Sequence, residues 1–232
     1  MSTPFIVILT GAGISAESGL ATFRAQNGLW EGHAIDDVAS YDGYTRNPQL
    51  VHQFYNQLRQ KLLSPSIKPN AAHYALAKLE NAFGANNVLL ITQNVDNLHE
   101  RAGSQHIIHM HGELLKLRNE KTGEILECYH DTDFKKNPLL RPHIVWFGEM
   151  PLDMDRIYSS LLRADYFISI GTSGHVYPAA SFAELAKNNG SQTIELNLAP
   201  TLNKNLFSQK QYGRATDIVP AFVNELIKDL LT

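Results

Sequence analysis

Short apolar runs bounded by turn residues recur along the chain and predict the strands of a buried sheet. Each run is apolar on both faces, which is typical of a parallel sheet that helices cover on both sides. The runs lie at residues 5–10, 87–92, 106–110, 143–147, 166–171 and 193–198. Helical periodicity lies between them, at 47–63, 70–83, 152–164 and 177–189 and in the C-terminal segment. This alternation predicts an α/β fold, a doubly wound Rossmann-like parallel sheet with a smaller inserted module.

Two segments interrupt the alternation and account for the inserted module. Residues 31–84 show helical patterns without a strand, so we interpret them as a helical insert. Residues 113–141 contain two short β-like pieces around a polar turn, which predicts a small β excursion.

Composition and charge then exclude several classes of protein. The 232 residues are 44% hydrophobic and 19% charged, with a net charge of −3. We see no basic patch, so we expect no charge-driven nucleic-acid binding. No run approaches the ~20 apolar residues that a membrane span needs, and the N-terminus lacks the basic region of a signal peptide. We therefore expect a soluble, cytoplasmic protein without a membrane partner; its oligomeric state stays open, a monomer being the simplest case.

Small and polar residues follow the predicted strands, where ligands of such sheets gather. After the first strand, Gly11, Gly13 and Ala16 form a G-x-G-x-x-A pattern. Glycines let the backbone approach a pyrophosphate, and a following helix N-terminus would supply N–H donors. A tight strand-to-helix turn that binds no ligand would explain the same G-x-G-x-x-A pattern. The acidic residue expected about 20 positions further on is absent, which disfavours an ordinary dehydrogenase-type domain.

Further polar clusters stand at other strand ends. Gln93, Asn94 and Asp96 follow one strand, although Asn94 or Asp96 would equally serve as a helix cap. His109 and His111 lie two residues apart and would face the same side of a continuing strand. They are open to interpretation as a buried histidine, a metal pair or a general base of near-neutral pKa. Polar or small residues also follow two later strands, at 171–173 and at 197. Taken together, the clusters at these strand ends predict one extended ligand that lies across the carboxyl edge of the sheet.

Six motifs make the pattern specific: GAGISAESGLATFR, TQNVDNLHERAG, HMHGE, WFGEMP, GTSGHVYPAA and LNLAP. In their order and spacing the chain resembles the sirtuins, the NAD-dependent protein lysine deacylases, over nearly its whole length. It is most similar to bacterial enzymes of the class that includes desuccinylases and demalonylases. The resemblance implies one catalytic domain over residues 1–232, NAD as co-substrate and acyl-lysine proteins or peptides as partners. The implied products are nicotinamide, O-acyl-ADP-ribose and deacylated lysine.

The resemblance also implies a role for individual residues. His111 would be the general base, and Asn94 would assist catalysis. NAD would contact Gly11, Ala12, Gly13, Ala16, Phe23, Arg24, Trp30, Gln93, Asn94, Asp96, Gly171, Thr172, Ser173, Asn197, Leu198, Ala199 and Ala215. The acyl-lysine peptide would add as a β-strand and contact Tyr55, Val145, Phe147, Gly148, Glu149, His175 and Val176.

The metal site is the first departure from the family pattern. Sirtuins usually carry two pairs of cysteines that hold a structural zinc, but the first position here is Asn119 and no C-x-x-C pair exists. Cys128, the only cysteine, is followed by His130 and Asp131, three possible ligands without a distant second pair. We therefore expect no zinc. We expect Leu115, Leu117, Ile125 and Leu126 to pack this metal-free hairpin against the main sheet in place of zinc.

The acyl pocket is the second departure. The desuccinylase class carries a Tyr and, three residues later, an Arg that together bind the acyl carboxylate. Tyr55 matches, but Leu58 stands three residues on and Arg59 four. On a helix, the residues three and four positions after Tyr55 both lie beside it. Arg59 would therefore either reach the acyl pocket or point to solvent. Two alternatives to a deacetylase or desuccinylase stay open: an NAD-dependent mono-ADP-ribosyltransferase and a non-catalytic ADP-ribose-binding module.

Overall fold

The computed structural model describes residues 3–22 and 29–231. The strands are β1 (Ile6–Thr10), β2 (Leu29–Trp30), β3 (His33–Ala34), β4 (Val88–Thr92), β5 (Ile107–His109), β6 (Gly112–Asn119), β7 (Ile125–Glu127), β8 (Leu140–Ile144), β9 (Tyr166–Ile170), β10 (Gln192–Asn197) and β11 (Gln209–Tyr212). The helices are α1 (Ile35–Val38), α2 (Tyr41–Arg46), α3 (Pro48–Leu63), α4 (Ala71–Phe83), α5 (Leu98–Ala102), α6 (Met154–Leu161), α7 (Phe182–Asn188) and α8 (Ala215–Leu231). None of these helices is long and apolar enough to cross a membrane.

A six-stranded parallel sheet in the order β11-β10-β9-β1-β4-β5 forms the larger part of the molecule. Every residue of β1 is buried, because helices cover both faces of the sheet. Leu76 of α4 and Phe222 of α8 belong to the core on one face, and Ile157 of α6 and Phe182 of α7 belong to the core on the other. The predicted doubly wound α/β fold is confirmed.

Strands β6, β7 and β8 form a second, antiparallel sheet in the order β7-β6-β8. This sheet packs against the helices α1 to α3, in a core that includes Tyr55 on α3, Leu115 on β6 and Trp146 after β8. The two interruptions predicted from the sequence therefore share one core and form a small module.

Three predicted placements differ from the structure. The apolar run 143–147, predicted as a strand of the main sheet, begins in β8 of the small module, and its Ile144 and Trp146 belong to the core shared with α3. Helix α4, assigned to the insert 31–84, packs against the main sheet instead. The same segment also contains the short strand β3. The edge strand β11 was not predicted, because its residues are polar and form no apolar run.

Polar side chains of α3 hold the segment that follows β7, where the usual zinc module would lie. The Asn56 side-chain amide donates to the Thr132 carbonyl at 2.7 Å, and the Thr132 N–H donates to Asn56 Oδ1 at 2.9 Å. His52 Nδ1 lies 2.7 Å from Thr132 Oγ1. Gln60 donates to both carboxylate oxygens of Asp131. Five polar contacts thus tie this segment to one helix face.

Arg59 lies at the centre of this interface and is only 1% exposed. Its Nε donates to the Leu114 carbonyl at 3.2 Å, and its Nη1 donates to Asn56 Oδ1 at 2.8 Å and to the His130 carbonyl at 3.3 Å. The guanidinium is therefore committed to the small module. Both alternatives predicted for Arg59 are wrong, because it neither reaches the acyl pocket nor points to solvent.

The three candidate zinc ligands do not converge. Cys128 is fully buried, and its thiol contacts the His130 carbonyl at 3.2 Å. The His130 and Asp131 side chains are exposed, and Asp131 is bound by Gln60. This arrangement does not fit a closed tetrahedral zinc site.

The packing of this module against the main sheet that we predicted is wrong, because Leu115 belongs to the core shared with α3 instead. Leu115 and Leu117 are buried, whereas Ile125 and Leu126 are 42% and 37% exposed. The exposed pair lies on β7, a three-residue edge strand with no covering layer. The α3 contacts of Asn56 and Arg59 supply the anchoring that we expected from these two side chains.

We predict that Arg59→Ala lowers the free energy of unfolding by about 2–4 kcal/mol, because it leaves a cavity and removes the Arg59 donors from Asn56 Oδ1 and from the Leu114 and His130 carbonyls. Urea unfolding measures the change. The matched control is Gln57→Ala on the exposed face of α3, expected within about 0.5 kcal/mol of the unchanged protein. An Arg59→Ala curve that overlays the control would contradict the anchoring role.

Candidate active site

A continuous cavity of about 1000 Å³ extends from the carboxyl edge of the main sheet to α3 of the small module. It brings together nearly all of the predicted site residues that the structure describes. The predicted NAD contacts that line it are Gly11, Ala12, Gly13, Ala16, Trp30, Gln93, Asn94, Asp96, Gly171, Thr172, Ser173, Asn197, Leu198, Ala199 and Ala215. The base candidate His111 also lines it, with the predicted peptide contacts Tyr55, Val145, Phe147, Gly148, Glu149 and Val176.

Three predicted residues do not belong to this set. Phe23 and Arg24 lie outside the described residues. His175 is exposed and does not line the cavity, although Val176 beside it does. Sequence reasoning missed other lining residues, and the helical spacing from Tyr55 was the signal that would have found three of them: Leu58, Lys61 and Leu62.

The turn after β1 packs directly against the turn after β9. The Gly13 N–H donates to the Gly171 carbonyl at 2.9 Å. A Cβ on Gly13 would lie 2.7 Å from Gly171 Cα, and Gly171 itself has a φ of +61°. Both positions therefore require glycine. Two short 3-10 turns, Ala12–Ile14 and Ala16–Ser18, follow β1. The α-helix N-terminus that we predicted there is therefore wrong. The turn can offer a ligand its backbone N–H groups, but not the dipole of an α-helix.

His111 combines accessibility to the cavity with a defined tautomer. Its Nδ1 lies 3.1 Å from the Gln93 carbonyl, which can only accept, so Nδ1 carries the proton and Nε2 keeps its lone pair. Burial lowers the pKa of His111, although the bond to the Gln93 carbonyl opposes this shift. The ring is therefore neutral near pH 7 and able to take a proton at Nε2.

His109 has different surroundings, so the two histidines do not form a metal pair. Its Nδ1 lies 3.4 Å from the Asn94 carbonyl, and its Nε2 contacts the Glu100 carboxylate. Burial lowers the pKa of His109, but the bond to Glu100 outweighs it and the pKa is raised. Glu100, His109 and Glu113 place their ligand atoms within 4.8 Å of one another, but the Lys116 ammonium already occupies Glu113 at 2.7 Å. We assign no metal to them.

Asn94 and Asp96 are buried and share Ser15 as a partner. Ser15 Oγ donates to Asp96 Oδ2 at 2.9 Å and accepts from Asn94 Nδ2 at 3.3 Å. Asp96 Oδ1 also accepts from the Leu98 N–H at 3.0 Å, at the start of α5. Asp96 therefore lines the cavity wall and also accepts from the first N–H of α5, although the N-cap residue of that helix is Asn97 and not the predicted Asn94 or Asp96. Burial raises the pKa of Asp96.

His73 on α4 supports this network from behind. The Asn70 N–H donates to His73 Nδ1 at 3.3 Å, so the proton of the neutral ring lies on Nε2 and faces Ser15 Oγ at 3.4 Å. A directed chain of hydrogen bonds thus runs from Asn70 through His73 and Ser15 to Asp96. Burial lowers the pKa of His73 to about 4.

The carboxylate of Glu149 is bound by the protein itself. Arg141 donates to it with both Nη atoms, at 2.7 and 2.9 Å, and the Trp146 N–H donates at 2.8 Å. Burial works against ionisation, yet these bonds hold the pKa of Glu149 below its usual value. The Arg141 guanidinium also lies 3.4 Å from the centre of the Trp146 ring. Glu149 therefore shapes the cavity wall by fixing the 146–149 turn, and its predicted contact with the peptide stays a prediction.

Comparison with known proteins gives a consistent result. The Sir2 family model matches residues 11–178. A protein of Salmonella typhimurium named NAD-dependent protein deacylase is 56% identical over 237 residues, which cover 99% of this chain and 86% of the relative. A Sir2 homolog–NAD complex has a TM-score of 0.86 at 37% identity and covers 97% of this chain and 90% of its own. Sir2Af2 bound to a myristoylated histone peptide has a TM-score of 0.74 at 31% identity, with 98% and 92% covered.

We predict that acidification weakens the fold through His73. Its pKa falls from 6.5 to about 4 on folding, so the unfolded chain binds the proton first, and stability present above pH 6.5 is lost as the pH falls towards 4. The loss from this ring is about 2 kcal/mol between pH 7 and pH 5. Urea unfolding at both pH values should show a smaller loss in His73→Asn than in the unchanged protein or the exposed control His130→Asn. Equal losses in all three proteins would contradict the assignment.

Proposed function

The chain belongs to the Sir2 family, and on this basis we propose that it is an NAD-dependent protein lysine deacylase. NAD is the co-substrate, and the products are nicotinamide, O-acyl-ADP-ribose and deacylated lysine. The observation that carries the proposal is the position of His111, which has an unprotonated Nε2 and lines a cavity that joins the sheet edge to an apolar pocket on α3.

The sheet end of the cavity suits a dinucleotide. The turns after β1 and β9 pack closely through Gly13 and Gly171, which leaves their backbone beside the cavity without side chains in the way. The hydroxyls of Thr172 and Ser173 and the amide of Asn197 add polar groups for ribose. We place the nicotinamide half beside the turn 93–96. When bound there, NAD supplies an electrophilic ribose carbon and nicotinamide as leaving group.

The turn 93–96 is held firmly enough to orient a bound sugar. Asn94 Nδ2 bonds to the Gly11 carbonyl at 3.1 Å as well as to Ser15, and the Asn94 N–H bonds to Thr92 Oγ1 at 3.0 Å. These bonds fix the amide plane of Asn94 before a ligand arrives, which lowers the ordering cost of binding. We propose that Asn94 positions the reacting ribose and that His111 removes a proton from one of its hydroxyls.

The acylated side chain enters from the other end of the cavity. Sir2Af2 binds a myristoylated histone peptide, and we propose that an acylated peptide lies here along 145–149 and 176–177. Phe147 and Tyr177 line the cavity and are exposed, so they can contact a peptide backbone from two sides. The acyl group then lies against Tyr55 and Leu58, and its carbonyl points towards the sheet edge.

We predict that His111→Ala lowers NAD-dependent deacylation of an acetyl-lysine peptide by about 10²–10⁴-fold, the usual contribution of a general base. Peptide mass and nicotinamide release measure the turnover. The control is His130→Ala, which removes an exposed ring outside the cavity and should leave turnover unchanged. If His111→Ala kept full activity, the proposed proton transfer would be wrong.

The pH dependence gives an independent check of the same group. His111 acts as a base only when Nε2 is unprotonated, and burial lowers the pKa of His111 from its usual 6.5. We therefore predict that the acidic limb of kcat/KM has its midpoint below pH 6.5. A limb centred above pH 6.5 would mean that another group controls the step.

A further inference from the structure

His109 lies behind the turn 93–96 and outside the cavity. Its side chain is only 9% exposed and does not line the cavity, whereas the proposed base His111, two residues further on, does. The proposed deacylation uses His111 and Asn94 but gives His109 no part. The ring of His109 nevertheless contacts the backbone of Asn94. It can therefore influence the reaction without contact with a substrate.

The rings of the two histidines contact consecutive carbonyl groups of the turn. His111 Nδ1 lies 3.1 Å from the Gln93 carbonyl, and His109 Nδ1 lies 3.4 Å from the Asn94 carbonyl. A carbonyl oxygen can only accept, so each bond needs a proton on Nδ1. The two carbonyls belong to the peptide planes on either side of Asn94. Both bonds therefore fix the backbone that carries the Asn94 side chain at the cavity wall.

His109 differs from His111 because both of its ring nitrogens face an acceptor. Nδ1 faces the Asn94 carbonyl, and Nε2 contacts the Glu100 carboxylate. A neutral imidazole carries one proton and satisfies only one of these acceptors, whereas an imidazolium satisfies both. The bond to Glu100 raises the pKa of His109 in spite of its burial. The surroundings of the ring thus favour its charged form.

Charged and titratable groups face His109 from three parts of the molecule. They are Glu100 and the neutral His99 on α5, Glu113 and Lys116 on β6, and Asp96 in the turn. The Lys116 ammonium bonds to Glu113 at 2.7 Å, which leaves Glu100 as the partner of the ring. A bond to a carboxylate is stronger than one to a neutral carbonyl. When the ring becomes neutral, the remaining proton therefore stays on Nε2, and the bond to Asn94 is lost.

We propose that His109, with both ring nitrogens protonated, is a positioning residue that holds Asn94 in the orientation the reaction needs. This inference rests on the proposed deacylase function, in which Asn94 positions the reacting ribose. Glu100 acts through the ring, because it binds the proton on Nε2 and so requires a second proton for the Asn94 carbonyl. Turnover then depends on the charge of a ring outside the cavity. At alkaline pH the ring becomes neutral, Asn94 loses one bond and kcat falls.

Two substitutions separate the bonds of the ring, since the amide nitrogen of Asn lies near the position of Nδ1 and that of Gln near the position of Nε2. The assay uses NAD and an acetyl-lysine peptide at pH 6.5, between the lowered pKa of His111 and the raised pKa of His109. We expect His109→Gln to lower kcat about 5–10-fold, the contribution of one long hydrogen bond, and His109→Asn to stay within about twofold of the unchanged protein. The KM for the peptide should not change. A merely structural role would lower kcat in both variants alike.

The pH profile tests the charge of the ring. In the unchanged protein kcat should fall about 5–10-fold as the pH rises through the pKa of His109, above pH 6.5. Glu100→Gln should abolish this fall, because an amide can donate to Nε2 and lets the neutral ring keep its proton on Nδ1. Glu184→Gln is the matched control, since it removes a carboxylate from an exposed position on α7 outside the cavity. It should leave the fall in place.

Equal losses of kcat in His109→Gln and His109→Asn, or a fall that persists in Glu100→Gln, would overturn the inference. Nitrogen NMR shifts test it without turnover. At alkaline pH they should place the proton of His109 on Nε2 in the unchanged protein and on Nδ1 in Glu100→Gln, and the same tautomer in both proteins would also overturn it. If no acyl peptide is turned over with NAD, the proposed function fails, and the NMR result separates the two failures.

Discussion

The buried guanidinium of Arg59 fixes the orientation of the helix on which the small-module end of the cavity depends. A buried cation is costly unless hydrogen bonds compensate it, and here Nε and Nη1 of Arg59 donate to the carbonyls of Leu114 and His130 and to the side chain of Asn56, while Nη2 has no partner among the described residues. Because these partners lie on one side of α3, the neighbouring face of the helix is turned towards the cavity. Tyr55 and Leu58 face the cavity as a consequence of where Arg59 is held.

The same module meets the main sheet at His111. The Met110 N–H bonds to the Thr92 carbonyl of β4, and the Val145 N–H bonds to the His111 carbonyl, so adjacent residues are fixed to the two parts of the molecule. The proposed base thus lies in the two-residue turn between β5 of the main sheet and β6 of the small module, at the junction of the two cores. A site built on two packed layers holds its geometry more tightly than one built on a mobile segment.

The sequence predicted most of the sheet because buried parallel strands such as β1 and β4 are apolar along their full length. Periodicity could not reveal which sheet a run joins, so 143–147 was placed wrongly. It also could not separate Leu58 from Arg59, since both positions lie beside Tyr55 on a helix. Only the carbonyls of the small module, which are distant in sequence, decide which of the two faces the cavity.

The proposal that NAD and an acylated lysine meet beside His111 is tested most directly by the mass of the small-molecule product. Equimolar NAD and acetyl-lysine peptide, incubated with the protein and separated by mass spectrometry, should give acetyl-ADP-ribose in equal amount to nicotinamide and deacylated peptide. Free ADP-ribose beside an intact acetyl peptide, or ADP-ribose attached to protein, would contradict transfer of the acyl group within this cavity.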